Sequence, residues 1–162
     1  MHHDIVILSG GVSKGDADYI PAVLQDCGVS EIFHKVKIKP GNPLWFGATQ
    51  KGTVVFGLPG NPVAVQVSCK IFIEPYLRKC FQSAQIQPIY LPLFEKKKKR
   101  TKLDEFFPCQ LSNKNNSTGL QPCRMNGSGD VAALIASDGI ALHPTDQEEL
   151  QAFDHIQFYS WT

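Results

Sequence analysis

Three short loops hold most of the residues able to do chemistry. The first is Ser9-Gly10-Gly11-Val12-Ser13-Lys14-Gly15-Asp16-Ala17-Asp18-Tyr19. Glycines at 10, 11 and 15 let the backbone approach a ligand and take positive φ. Ser13 adds a hydroxyl donor, and the amides that open the following helix point at an anion. Asp18 reads as the N-cap of that helix. One phosphate at a helix terminus gains only about 0.3–1 kcal/mol from the dipole, so several donors must converge on it. The second loop is Lys39-Pro40-Gly41-Asn42-Pro43. Two prolines and a glycine make a rigid turn, and Lys39 projects from it as a point charge suited to a phosphate or other oxyanion. The third is Leu58-Pro59-Gly60-Asn61-Pro62. Asn61 is placed to cap a helix whose first position is Pro62, and the free amides of that helix form another anion site.

These loops follow strands, and most lead into helices. Ile5 to Leu8 is a continuous apolar run, as in a strand covered on both faces. Ile20, Val23, Leu24 and Cys27 follow at helical spacing, with Pro21 in the first turn and Gly28 ending the helix. Glu31 to Ile38 alternates, with Ile32, Val36 and Ile38 on one face. Thr53 to Leu58 is a further strand. Val63 to Phe81 is a long helix that Pro75 should kink. Strands alternating with helices predict an α/β unit with a mainly parallel sheet over residues 1–86. In such sheets ligands bind beyond the strand ends that carry these loops. Residues 87–162 hold short β-type runs at 89–95, 106–111, 119–124, 139–142 and 155–161, with a polar turn at 113–119 and a short helix or bend at 132–136. They predict a small β-rich domain.

Other motifs point elsewhere. Gly15 is followed by Asp16, so the Gly-Lys-Ser/Thr ending of a P-loop is missing. Gly11-Val12-Ser13-Lys14-Gly15 satisfies the G-x-S-x-G pattern of serine hydrolases. The strand ends at Ser9, however, and the helix begins only near Asp18, so a sharp nucleophile elbow does not form. A hydrolase built on Ser13 would have to recruit His143 with Asp130 or Asp138. Five cysteines stand without C-x-x-C spacing, and Cys27, Cys69 and Cys80 fall on apolar helix faces. They read as buried thiols of a cytoplasmic protein. No His/Cys/Asp cluster has the spacing of a structural metal site. Lys96 to Arg100 reads as a solvated hairpin tip, and Trp45, Phe46, Phe106, Phe107 and Trp161 as core or dimer contacts. The net charge of +1 gives no general pull toward nucleic acid or membrane. No apolar run of spanning length exists, and Met1-His2-His3-Asp4 does not open a signal peptide.

Ser-Gly-Gly-Val-Ser-x-Gly-x-Ala-Asp-Tyr at 9–19, Ile-Lys-Pro-Gly-x-Pro at 38–43 and Gly-Leu-Pro-Gly-Asn-Pro-Val at 57–63 together resemble the molybdopterin molybdotransferases of the MoeA/gephyrin E-domain type. Leu103-Asp104, Gly127-Ser128-Gly129 and Ala136-Ser137-Asp138-Gly139 are similar to that family's C-terminal β domain. The resemblance implies a three-layer molybdopterin-binding fold, and insertion of molybdenum from molybdate into adenylylated molybdopterin with release of AMP, assisted by Mg2+. Gly10, Gly11, Ser13, Gly15, Asn42, Pro59, Gly60 and Asn61 would line the pterin-phosphate site. Asp18 would sit at the metal and the phosphoanhydride, and Lys39 would bind molybdate or phosphate. A homodimer is implied as well. Two departures stand out. Asn42 occupies a position where many members carry a second lysine. The early strand and the acidic loop that begin the family's binding domain are also missing. The fold is therefore expected to be incomplete, and a non-catalytic chain that only binds molybdopterin or assembles with a partner is the alternative expectation.

Overall fold

The computed structural model describes residues 3–13, 19–99, 101–114, 116–127 and 129–162. The first half runs β1 (Ile5–Ser9), α1 (Ile20–Asp26), β2 (Val29–His34), β3 (Ile38–Lys39), β4 (Trp45–Thr49), β5 (Val54–Leu58), α2 (Pro62–Ser68), a π-helical stretch Cys69–Ile73, and α3 (Glu74–Cys80). Four strands form one sheet in the order β1-β5-β4-β2. Alternation along β5 sends Val55 to one face, with Leu24, Val29 and Trp45, and Val54, Phe56 and Leu58 to the other, with Val65, Ile73, Tyr76 and Leu77. Helices therefore cover both faces, giving the three layers that the sequence predicts.

The sheet is less parallel than expected. β1 pairs with β5 in parallel, but β4 runs antiparallel to both β5 and β2. The three strands legible in the sequence do point the same way, and the unforeseen β4 lies between two of them. Strong β signals are diluted there by Gly47 and Ala48. Gly47 is required, because a Cβ would collide with the Trp45 ring and the Ser30 carbonyl.

Two other expectations need correction. Glu31 to Ile38 is not one alternating strand. A register shift between Glu31 and Phe33 and a positive φ at Lys35 divide it, which leaves Ile32 59% exposed while Val36 and Ile38 enter the core. In α1, Ile20 and Leu24 pack inward but Val23 is exposed. Cys27 and Cys80 are exposed as well, Cys69 is half-buried, and among the cysteines Cys109 alone is fully buried. Burial pushes the Cys69 thiol up, and pushes Cys109 up further. Pro75 acts as a disturbance, in the form of a π turn just ahead of it: the Glu74 N–H reaches back to the Cys69 carbonyl. That wider turn absorbs the donor the proline lacks.

The second half runs β6 (Ile89–Pro92), β7 (Lys97–Lys98), β8 (Asp104–Lys114), β9 (Ser117–Pro122), α4 (Val131–Ile135), β10 (Gly139–His143), β11 (Glu149–Leu150) and β12 (His155–Ser160). It is β-rich, as predicted. Its main sheet has the order β3-β8-β10-β12-β6, with β9 on β8. The strand at its edge, β3, comes from the first half: Ile38 and Lys39 pair in parallel with Asp104 and Glu105. An apolar cluster of Ile38, Val67, Phe106 and Ile140 closes the same junction.

The lysine run is not a solvated tip throughout. Lys96 and Lys98 are exposed, but Lys97 and Lys99 turn inward. The Lys99 ammonium donates to the Leu103 and Pro144 carbonyls. That of Lys97 meets the Glu105 carboxylate at 2.7 Å and lies 4.6 Å from the centre of the Phe107 ring. Period-two alternation puts every second lysine over the core, and its long stem fills apolar space.

Candidate anion-binding site

Loops one and three are stitched together at the ends of β1 and β5. The Gly10 N–H donates to the Leu58 carbonyl at 2.9 Å, and the Ser9 hydroxyl to the Pro59 carbonyl at 3.3 Å. A Cβ built on Gly60 would stand 3.5 Å from the Gly10 Cα, so the two glycine turns touch. Gly11 has φ +69°, and a Cβ on it would lie 2.6 Å from Ile20 Cγ1; only glycine lets α1 begin so close to the loop. His34, at the end of β2, donates its Nε2–H to the Val12 carbonyl at 2.8 Å and pins the loop from the side.

Loops two and three share a cavity of about 270 Å³ whose walls include Lys39, Pro40, Asn42, Pro59 and Asn61. At its rim Asn61 caps α2: its Oδ1 accepts from the Ala64 N–H at 3.1 Å. The Val65 N–H bonds to the Asn61 carbonyl and Pro62 has no N–H. The Val63 amide is then the first-turn donor outside these bonds, fewer than the sequence expectation of several. Asn61 also faces the C-terminal half, because a Cβ on Gly129 would lie 3.5 Å from its Nδ2. The Asn42 amide donates to the Val36 carbonyl of its own loop.

Lys39 and Pro40 also line a larger cavity of about 620 Å³ between the halves, together with Lys96, Lys97, Glu105, Phe107, Cys123 and Met125. The Lys39 side chain is 53% exposed, and its ammonium stands 4.0 Å from Glu105. Burial, and then the nearby Asp138 charge, push the Cys123 thiol up, so it meets this cavity protonated.

Of the site residues expected from the sequence, Lys39, Asn42, Pro59 and Asn61 come together, with Gly10, Gly11 and Gly60 adjoining them. Ser13 is exposed and lines neither cavity. Gly15 and Asp18 lie outside the described residues, as does Ser128. The hydrolase constellation is not assembled. His143 is fully buried with neither ring nitrogen hydrogen-bonded, Asp130 caps α4, and Asp138 accepts from the Leu111 N–H. Lys97, Glu105 and His34 escaped the sequence reading. The alternation of inward and outward lysines after Phe94 was the signal available for the first of them.

Glycine turns thus stand at one edge of a three-layer α/β unit, and a lysine-bearing loop and a cavity join it to a β-rich domain. Residues 1–79 match the model of a probable molybdopterin binding domain, and residues 91–161 that of the MoeA C-terminal region. A molybdopterin molybdenumtransferase of Synechocystis sp. is 34% identical over 99% of this chain and 39% of its own length. One from Staphylococcus aureus is 30% identical over 88% of this chain and 34% of its own. The crystal structure of a molybdopterin biosynthesis MoeA protein from Pyrococcus horikoshii superposes with a TM-score of 0.77 at 25% identity, over 99% of this chain and 38% of that one. The chain thus carries the two regions that these models describe, as a MoeA-type fragment, and spans about two fifths of the length of these relatives. None of the described helices is long and apolar enough to cross a membrane.

Proposed function

We propose that this chain forms the molybdopterin- and oxyanion-binding part of a molybdotransferase, which transfers molybdenum from molybdate to adenylylated molybdopterin and releases AMP. The observation that carries the reading is the single cavity walled by Lys39, Pro40, Asn42, Pro59 and Asn61, loops that are distant in sequence. In this reading the touching turns at Gly10 and Gly60 let the backbone approach the pterin phosphate closely, the Gly10 N–H itself being held by the Leu58 carbonyl. Lys39 supplies a positive charge for molybdate at the cavity wall. Ser13, exposed at the mouth of the first loop, reaches the ligand from outside the cavity. The reaction takes place in the cytoplasm, and the working unit is a homodimer.

Magnesium belongs to the proposal through Asp18. Among the described residues no three His, Cys, Asp or Glu side chains are grouped to hold a metal ion. In this reading Lys39 and the glycine turns bind and orient the anions.

Titration calorimetry with adenylylated molybdopterin, with and without molybdate and magnesium, tests the proposal. Binding at micromolar concentration with AMP release that depends on molybdate supports it. Binding with no AMP release reduces the chain to a molybdopterin-binding unit, and absence of binding refutes the reading. The cysteines, tryptophans and overall stability can be followed in the same samples to exclude unfolding as the cause.

A further inference from the structure

We infer that the 620 Å³ cavity, which shares Lys39 with the proposed oxyanion site, takes an oxyanion through Lys97 as a second cation, held beside Lys39 by the carboxylate of Glu105. The inference rests on the reading that Lys39 takes an oxyanion. Lys39 comes from β3 and Lys97 from β7, on opposite sides of the junction between the halves. Between them stands Glu105, whose Oε2 is 4.0 Å from Lys39 Nζ and whose Oε1 is 2.7 Å from Lys97 Nζ. All three line the 620 Å³ cavity.

The charges decide what this cavity takes. The Glu105 side chain is 14% exposed, and a carboxylate so far from water needs a partner. One ammonium meets that need. Two leave a positive charge in surplus, and both ammoniums lie within 4.0 Å of one group. An ammonium has three N–H donors. Glu105 engages one on Lys97, and the ammonium also lies 4.6 Å from the centre of the Phe107 ring, which leaves a donor for a ligand. A tetrahedral dianion accepts from several donors at once, and Lys39 and Lys97 stand at the two oxygens of one carboxylate.

Neighbouring groups are committed elsewhere. Lys99, the other inward lysine, donates to the Leu103 and Pro144 carbonyls. Asn42, in the loop of Lys39, turns its amide to Val36. Lys96 reaches the same cavity but is exposed, without the Glu105 clamp. The ligand class is a tetrahedral oxyanion, free or as a phosphate group of a larger molecule. Titrations with molybdate, sulfate and adenylylated molybdopterin separate those sources.

The test measures molybdate affinity of the full chain by calorimetry, for wild type, Lys97→Gln, Lys97→Arg and, as control, Lys98→Gln, whose residue is exposed and outside the cavity. Glutamine keeps a donor to Glu105 and removes the charge. Loss of one charge-assisted hydrogen bond predicts about tenfold weaker binding for Lys97→Gln. Lys97→Arg should restore affinity to within about threefold, since it keeps the charge but not the point geometry. Lys98→Gln should stay near wild type. Wild-type affinity in Lys97→Gln overturns the inference alone. A wild-type chain that takes up no molybdate overturns the reading of Lys39 with it. Should Lys97→Gln fail to fold, wild-type protein with 13C-methylated lysines gives the answer: molybdate should shift the Lys39 and Lys97 signals and leave Lys98 in place, and a shift at Lys39 alone overturns the inference.

Discussion

Lys39 and Glu105 are register partners in the parallel pairing of β3 with β8. The lysine that the first half offers to an anion is thus carried on a strand hydrogen-bonded into the sheet of the second half. Any movement between the halves would move Lys39 relative to the glycine turns. The apolar contact of Ile38 and Val67 with Phe106 and Ile140 resists such movement.

Lys39→Ala should therefore weaken molybdate binding by about ten- to a hundredfold, as loss of a charge-assisted contact worth about 1.5–3 kcal/mol. Its side chain is half exposed, so the melting temperature should change little. Calorimetry and a thermal melt on the same sample check both halves of this statement.

Asn61→Ala removes the cap of α2 and should lower stability by about 1 kcal/mol, read from urea unfolding. Because Asn61 also faces Gly129 of the second half, affinity for adenylylated molybdopterin should fall in parallel. Asn61→Asp keeps the cap and should recover most of the stability.

Gly11→Ala places a Cβ at φ +69° and 2.6 Å from Ile20 Cγ1. Backbone strain of this kind costs about 1–3 kcal/mol, to which the steric contact adds. The expected result in urea unfolding is a lower midpoint, with molybdopterin binding weakened as the loop shifts.

His143 predicts the acid limb of the stability profile. Burial, and then the charges of Lys99 and Lys97, hold its imidazole below the usual 6.5, against smaller opposing pulls from the Gln147 backbone and then Glu105. The unfolded chain binds this proton more readily than the folded one. Stability from His143 is therefore full above about pH 6.5 and declines as the pH falls through the depressed folded value. His143→Leu should flatten that decline in urea unfolding between pH 7 and 5. An unchanged slope would show that other groups govern it.

Much of this molecule can be read from its residues alone. Continuous apolar runs gave β1 and β5, and the spacing around Asn61 and Pro62 placed the cap of α2, because burial on both faces and capping are local requirements. The five β runs of the second half were visible for the same reason. The three loops could also be recognised as turns, since glycine, proline and asparagine carry their backbone preferences wherever they stand. Other features depend on what the fold lays against a segment. β4 exists because Gly47 admits the Trp45 ring, a contact no local pattern reveals. Ile32 was pushed outward by a register shift, and Cys27 faced solvent although helical spacing placed it inward. The inward turn of Lys97 and its clamp by Glu105 are likewise tertiary. Local sequence sets what a backbone can do, whereas the face a residue presents, and the charge it meets there, depend on chain segments far away in sequence.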